Sequence, residues 1–349
     1  MAYDTGQEVH QAPLMLPDSD EDSAIAVNDD LLSVASLTSS VRDFVVENGR
    51  TYHSLSVGKY ILPNDEVRLN FAKGPTRYEL GHRHVFFSLK LGLTSSDRKD
   101  MQNHHFLVTF GGKMHFAPGA DHAQRVLDVG TGTGIWAIDY GKSLPFWPDA
   151  HPSAEVIGVD LSPIQPFYVP PNCSFEIDDL EKDWTWTRPF DYIFSRMMVG
   201  SFADFSCFAD QAYQHLIPGG YVELIDCIFP MACDDSTLND SLALKEFSDL
   251  LLQASINLGR PLNAASSHRE TLIKAGFTNV NVLNYKWPTN RWPKDPKNKR
   301  VGLWTLANVG GGLEGLSLAL MTRGLGWGKE RVLAYLTTVR KDLHNPKIH

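Results

Sequence analysis

Val126-Leu127-Asp128-Val129-Gly130-Thr131-Gly132-Thr133-Gly134 joins a short apolar run to a stretch of helical pattern. Glycines at alternate positions let a backbone turn sharply and lie close to a ligand. Backbone N–H groups at such a turn suit a carboxylate. Asp128, just before the first glycine, suits an ammonium group. An anion site beside a cation-accepting acid fits an amino-acid zwitterion.

Outward from this loop the pattern alternates. Arg125–Gly130, Ala154–Asp160, Ser174–Ile177, Phe190–Ser195 and Tyr221–Cys227 read as five strands, and Val280–Tyr285 as a sixth. Helical patterns cover Thr133–Lys142, Phe205–Leu216, Leu238–Leu258 and Ser267–Ala275. Strands alternating with helices predict an α/β fold with a doubly wound, mostly parallel, Rossmann-like sheet. N-terminal and C-terminal helical additions flank it. The division expected is an acidic tail over 1–45, a cap segment over 46–120, a binding core over 121–288 and a helical extension over 289–349. Within the cap, Asp97–Leu107 reads as a helix carrying His104 and His105, and Phe106–Phe116 as a hairpin around Gly111-Gly112. The C-terminal helices are expected at about Leu303–Thr322 and Lys329–Leu343, and the basic stretch 286–300 as a solvated loop.

Acids close three successive strands. Asp160 ends the second, where a carboxylate can bond two ribose hydroxyls. Asp178-Asp179-Leu180 follow the third, where a carboxylate can accept from an adenine amino group. With Asp128 and the glycines, they outline an adenosine joined to methionine, that is, S-adenosylmethionine. A nicotinamide site would need glycine at position 135, which is Ile135, and a nucleotide P-loop would need a following Gly-Lys-Ser/Thr.

Charge excludes other classes. The net charge is −9, and residues 1–40 hold eight acidic side chains without a Lys or Arg. The remainder carries 33 acidic against 32 basic residues, which argues against a nucleic-acid partner. The four cysteines have no C-x-x-C pair and read as reduced thiols, and no metal site is expected. Val301–Trp327 is too interrupted to span a bilayer, so no membrane is expected. The acidic start is unlike a secretory or transit signal, which points to the cytoplasm, with the nucleus as the alternative.

The run VLDVGTGTGIWAIDYG (126–141), AEVIGVDLSPIQP (154–166), VPPNCSFEIDDLEKDWTW (169–186), FDYIFSRMMVGSF (190–202) and QAYQHLIPGGYVELID (211–226) resembles the fungal LaeA-like methyltransferase family. The likeness extends to TYH (51–53), YILPNDE (60–66), QNHHFLVTFGGK (102–113), WPKDPKNKRVGLW (292–304) and GLEGLSLALMTRGLGW (312–327). It implies a class I S-adenosylmethionine fold linked to secondary metabolism. By resemblance, Asp128, Gly130, Gly132 and Gly134 match the first cofactor motif, Asp160 the ribose acid and Asp179 the adenine acid. Two departures stand out. Val67–Ser96 lacks a family counterpart and reads as an insertion or a translated intron. The sequence stops at His349, where relatives continue into a final strand.

Methyl transfer needs alignment first, and a base only when the acceptor loses a proton. The base candidates are His104, His105, Glu223 and Asp226. Arg196, after the fourth strand, is the candidate for holding an acidic substrate group. The fourth strand lacks the Asn/Asp-Pro-Pro-Tyr/Phe signature of amino-methylating enzymes. The expected acceptor is a small secondary-metabolite intermediate. The alternative is a regulatory methyltransferase that controls gene clusters through a protein target.

Overall fold

The computed structural model describes residues 44–56, 59–60, 62–64, 95–142 and 153–349. The acidic tail and nearly all of 67–96 lie outside the described residues.

A hairpin of β1 (Val45–Glu47) and β2 (Arg50–Tyr52) precedes α1 (Ser95–Thr109). The central sheet contains β3 (Arg125–Val129), β4 (Glu155–Asp160), β5 (Cys173–Ile177), β6 (Phe190–Arg196) and β7 (Leu216–Ile225). Its order is β5-β4-β3-β6-β7, and every pairing is parallel. Helices α2 (Ile135–Gly141), α3 (Phe205–Gln214), α4 (Ala243–Asn257) and α5 (His268–Ala275) connect and follow the strands. The rest is helical: α6 (Pro296–Thr305), α7 (Gly311–Ala319) and α8 (Lys329–Leu343), with π-helical turns at Leu306–Gly310 and Leu320–Gly324.

Side-chain alternation gives the sheet two buried faces. Val126, Tyr192 and Phe194 pack with Trp136 and Tyr140 on one face. Leu127, Val129 and Ile193 pack with Phe205 and Phe208 on the other. A third core is mainly helical: Leu244, Phe247 and Leu251 meet Leu313, Leu318, Val332 and Leu336. The β1–β2 hairpin is tied to this helical part by Arg323 Nε on Glu47, 2.9 Å, and Lys329 Nζ on the Asn48 carbonyl, 2.7 Å.

Four local expectations change. The hairpin expected at Phe106–Phe116 is instead the end of α1. Gly111 and Gly112 take φ of +67° and +93°, and the Gly112 N–H donates to the Leu107 carbonyl at 2.7 Å. The Gly-Gly pair is a helix stop rather than a strand turn. The sixth strand does not form. Val282 and Leu283 are 56% and 61% exposed, and no strand among the described residues pairs with 280–285. Alternation alone makes no strand without a neighbouring ladder to hydrogen-bond.

The fifth strand starts early, at Leu216, and absorbs Pro218-Gly219-Gly220 as an irregularity between the Phe190 and Tyr192 pairings. Gly219, at φ +83°, supplies the turn. The basic stretch is not all loop. Asp295 caps α6 through the Asn298 N–H at 2.8 Å, with Pro296 at the first helical position.

Candidate functional site

The sheet order places the ends of β3, β4 and β6 side by side. Gly130, Gly132 and Gly134 all take left-handed φ, +68°, +60° and +79°. A Cβ on Gly130 would meet Met198 Sδ at 2.1 Å, and one on Gly134 would meet the Phe175 ring at 2.3 Å. The conformation therefore demands glycine at all three positions, and at Gly134 the Phe175 ring also leaves no space for a Cβ. The Thr131 N–H donates to the Val159 carbonyl at 2.9 Å, which ties the loop to β4.

Asp160 ends β4 with its carboxylate already oriented. Oδ2 accepts from the Gly132 N–H at 2.8 Å, and Oδ1 from the Ser162 N–H at 2.9 Å. Gln165 Nε2 donates to the carbonyls of Gly132 and Ser162, 2.7 and 2.9 Å, closing the loops around it. Asp128 is buried and accepts from Thr131 Oγ1 at 2.6 Å. Burial pushes its carboxyl up to about 6, against the lowering effects of the Thr131 bond and the Arg196 charge.

The two acids after β5 divide. Asp178 is exposed, and its Oδ1 accepts from the Asp179 N–H at 2.7 Å. Asp179 is buried beneath the N-terminal segment, where Oδ2 accepts from Ser56 Oγ and Lys59 Nζ, each at 2.6 Å. Burial pushes the Asp179 carboxyl up, but the Lys59 and Ser56 bonds outweigh it and leave it below its ordinary value. Lys59 also meets Glu181 at 2.9 Å, and Arg260 meets Glu181 at 2.7 Å. Leu180 is in the core under this chain of charges, and its carbonyl accepts from Trp184 Nε1 at 3.1 Å.

Arg196 ends β6 and donates through Nη2 to Asn103 Oδ1 of α1 at 2.7 Å. Its guanidinium lies 4.9 Å from the Phe106 ring centre. Burial lowers it to about 10, partly offset by Asp128. It stays cationic at neutral pH.

The base candidates separate by surroundings. His105 is fully buried, stacks on Trp287 at 3.9 Å and faces Thr305 Oγ1 at 3.2 Å. His104 lies edge-on to Trp304 at 4.5 Å. Burial lowers the two imidazoles to about 3 and about 4, so both are neutral packing groups between α1 and α6. Glu223 sits two residues before the end of β7, and its carboxylate accepts from the Phe116 and Ala117 N–H groups, 2.9 and 2.8 Å, and from Tyr192 Oη at 3.0 Å. It anchors the loop after α1 to the sheet. Glu223→Leu is expected to destabilise the protein by about 2 kcal/mol, seen as a lower urea midpoint, because three donors lose their acceptor. Asp226, directly after β7, accepts from the Val199 N–H at 3.0 Å and faces His268 Nε2 at 2.9 Å.

The sequence reading missed Ser56, Lys59, Asn103, Gln165 and His268. None stands in a recognisable spacing, and each reaches the site from a separate element.

A cavity of about 1660 Å³ opens along this rim. Phe106, Phe116, Met197, Asp226, His268 and Tyr285 are in its wall. Met197 precedes Met198, the residue that fills the space beside Gly130. Met198 itself and the residues of the glycine loop are not in that wall.

A doubly wound parallel sheet with a glycine loop after its central strand and an acid ending the next strand defines a Rossmann-like methyltransferase. A family model described as a methyltransferase domain matches residues 96–282. Methyltransferase pytC of Aspergillus terreus is 34% identical, over 91% of this chain and 88% of that protein. The secondary metabolism regulator LAE1 of Cochliobolus heterostrophus is 34% identical, over 87% and 90%. The probable methyltransferase tdiE of Emericella nidulans is 32% identical, over 73% and 78%. The chain belongs to the LaeA-like methyltransferase family. Its methyl donor is S-adenosylmethionine, and the residues at the loop suit that group: three glycines at left-handed φ, a buried carboxyl, and a pre-oriented carboxylate.

Among the described residues there is no cluster of three or more His, Cys, Asp or Glu fit for a metal, and no helix is long and apolar enough to cross a membrane.

Proposed function

We propose that the protein methylates a small, largely apolar and aromatic intermediate of fungal secondary metabolism. The observation that carries this reading is the large aromatic-walled cavity whose wall includes Met197 and Val199, just after β6, and Asp226, just after β7. Pockets of this kind bury most of a small ligand's surface and use few polar groups to orient it.

Bound S-adenosylmethionine supplies an electrophilic methyl carbon on a positively charged sulfur. The chain's own residues bind and align. The backbone at Gly130, Gly132 and Gly134 lies against the methionine part, and Asp128 takes its ammonium group. Asp160 takes the ribose hydroxyls through the lone pairs that Gly132 and Ser162 leave free. Asp178, the exposed acid of the pair, reaches the adenine amino group, while Asp179 holds Ser56 and Lys59 so that the N-terminal segment covers that end. Arg196, oriented by Asn103, offers a cation to an acidic group of the substrate.

A second reading is regulation through a protein target, favoured by the 34% identity to a protein named as a secondary metabolism regulator. The cytoplasm suits the first reading and the nucleus the second. Deleting the gene distinguishes them: loss of one compound supports the first, and broad change in cluster transcripts the second.

Calorimetry with S-adenosylmethionine tests the site itself. Asp160→Ala removes charge-assisted hydrogen bonds worth about 1.5–3 kcal/mol, so affinity should fall roughly 10- to 100-fold. An unchanged affinity would remove Asp160 from the site. A folded parent that binds no cofactor would end the enzymatic reading.

A further inference from the structure

His268 and Asp226 form a pair that the cofactor site does not use. Asp226 follows β7, and its side chain is 2% exposed. Its Oδ1 accepts from the Val199 N–H at 3.0 Å, and its Oδ2 lies 2.9 Å from His268 Nε2. An ionised carboxylate only accepts, so the bonded ring nitrogen carries the hydrogen. In the neutral ring the lone pair then sits on Nδ1. That atom is buried and has no hydrogen-bond partner.

A His–Asp pair that only ties α5 to the sheet would be more stable with its second nitrogen bonded. Leaving a buried acceptor empty destabilises the fold; His105 Nδ1 is also buried and unpartnered, but His105 lies outside the cavity wall and His268 lies in it. Phe205 stacks on the imidazole at 3.9 Å and fixes its plane. Both His268 and Asp226 lie in the wall of the substrate cavity, with Met197 and Gly200 from the end of β6. Cys227, the next residue, does not compete for a proton. Burial and the Asp226 charge push its thiol up to about 12, and its Sγ–H points to Met197 Sδ at 3.6 Å.

We propose that His268 is the general base of methyl transfer to a hydroxyl acceptor, taking its proton at Nδ1, with Asp226 as the positioning residue that sets the tautomer. This rests on the methyltransferase reading above and narrows it to oxygen acids of the phenol class. The acceptor oxygen bonds to the methyl carbon as the methyl–sulfur bond breaks, and that bond's electron pair stays on sulfur, which becomes a neutral thioether. The O–H proton passes to Nδ1, and the Asp226 carboxylate stabilises the imidazolium that results.

The test uses the full chain with ¹⁵N-labelled histidine, saturated with S-adenosylhomocysteine, and 2-naphthol as the phenolic probe. In the neutral ring the His268 hydrogen should sit on Nε2, and 2-naphthol should move the Nδ1 resonance. His268→Gln keeps an N–H for Asp226 but has no Nδ1 lone pair. It should bind S-adenosylhomocysteine like the parent and lose 2-naphthol methylation on the order of 100-fold, in kcat rather than KM. Asp226→Asn keeps an oxygen for Val199 but turns a donor toward Nε2. It should move the hydrogen to Nδ1 and lower kcat comparably.

A hydrogen on Nδ1 in the parent's neutral ring, an Nδ1 resonance unmoved by saturating 2-naphthol, or parental turnover by His268→Gln would each overturn the proposal. A parent that fails to bind S-adenosylhomocysteine would instead strike the methyltransferase reading, which separates the two failures.

Discussion

Asp128→Asn is expected to stabilise the ligand-free protein at about pH 7.5 by about 2–3 kcal/mol while weakening S-adenosylhomocysteine binding roughly tenfold or more. The Asp128 carboxyl is buried, and desolvation raises it from 3.8 to about 6. Between those values the folded protein holds a proton that the unfolded chain has lost. Stability from this group is therefore fully present below about pH 4, falls as pH rises to about 6, and stays low above it. A change of this size corresponds to about 3 kcal/mol. Asparagine removes the ionisation and still offers an oxygen to Thr131 Oγ1. It also removes the charge proposed to face the cofactor's ammonium group. Urea titrations at about pH 4 and about pH 7.5 check both parts. The variant's advantage should be large at the higher pH and nearly gone at the lower. Equal stability of parent and variant at about pH 7.5 would mean that Asp128 ionises without penalty.

Trp136→Ala should be the most damaging single change in the core, lowering stability by about 3–5 kcal/mol. Trp136 is 2% exposed, lies face to face with Phe194 at 3.7 Å and stacks on Tyr140 at 5.0 Å. Its Nε1 donates to the Met114 carbonyl at 3.1 Å, so truncation also strands a carbonyl under the loop after α1. The cavity left would lie directly beneath the glycine loop, because Trp136 is the second residue of α2. A urea midpoint lowered in proportion, together with weakened cofactor binding, is the expected result. A loss below about 1 kcal/mol would mean that the neighbouring rings close the gap. The indole is therefore a structural support.

Some of the site was legible because its chemistry is local. Three glycines at alternate positions demand φ that other residues resist, and all three adopt it. Asp160 ends a short apolar strand, and parallel pairing carries it to the rim beside the loop. The five central strands were readable because a sheet covered on both faces leaves near-continuous apolar runs. The same logic failed at 280–285. The alternation of Val280 and Val282 resembles a strand, but strand formation depends on a partner that only the tertiary structure can supply. Gly111-Gly112 failed for a related reason: the pair is compatible with a hairpin turn and with a helix stop, and the length of α1 decided between them.

The base candidates show where reading by residue type ends. His104 and His105 have suitable chemistry, yet Trp304 of α6 packs on the first and Trp287, ahead of α6, stacks on the second. Glu223 lies near the right end of the right strand, yet Phe116, Ala117 and Tyr192 occupy its oxygens. His268 stands in an unremarkable helix start, 42 residues from Asp226 along the chain, and becomes noticeable only through their contact.

By itself the sequence determined the doubly wound core, the glycine loop and the acids at the ends of β3, β4 and β5, since each depends on backbone conformation or strand periodicity within a few residues. Only the tertiary structure decided which acid is open and which is covered, which titratable groups are neutral, and which side chains share the cavity wall. Those properties depend on desolvation and on hydrogen bonds between distant segments, as when Ser56 and Lys59 close over Asp179 from more than a hundred residues away.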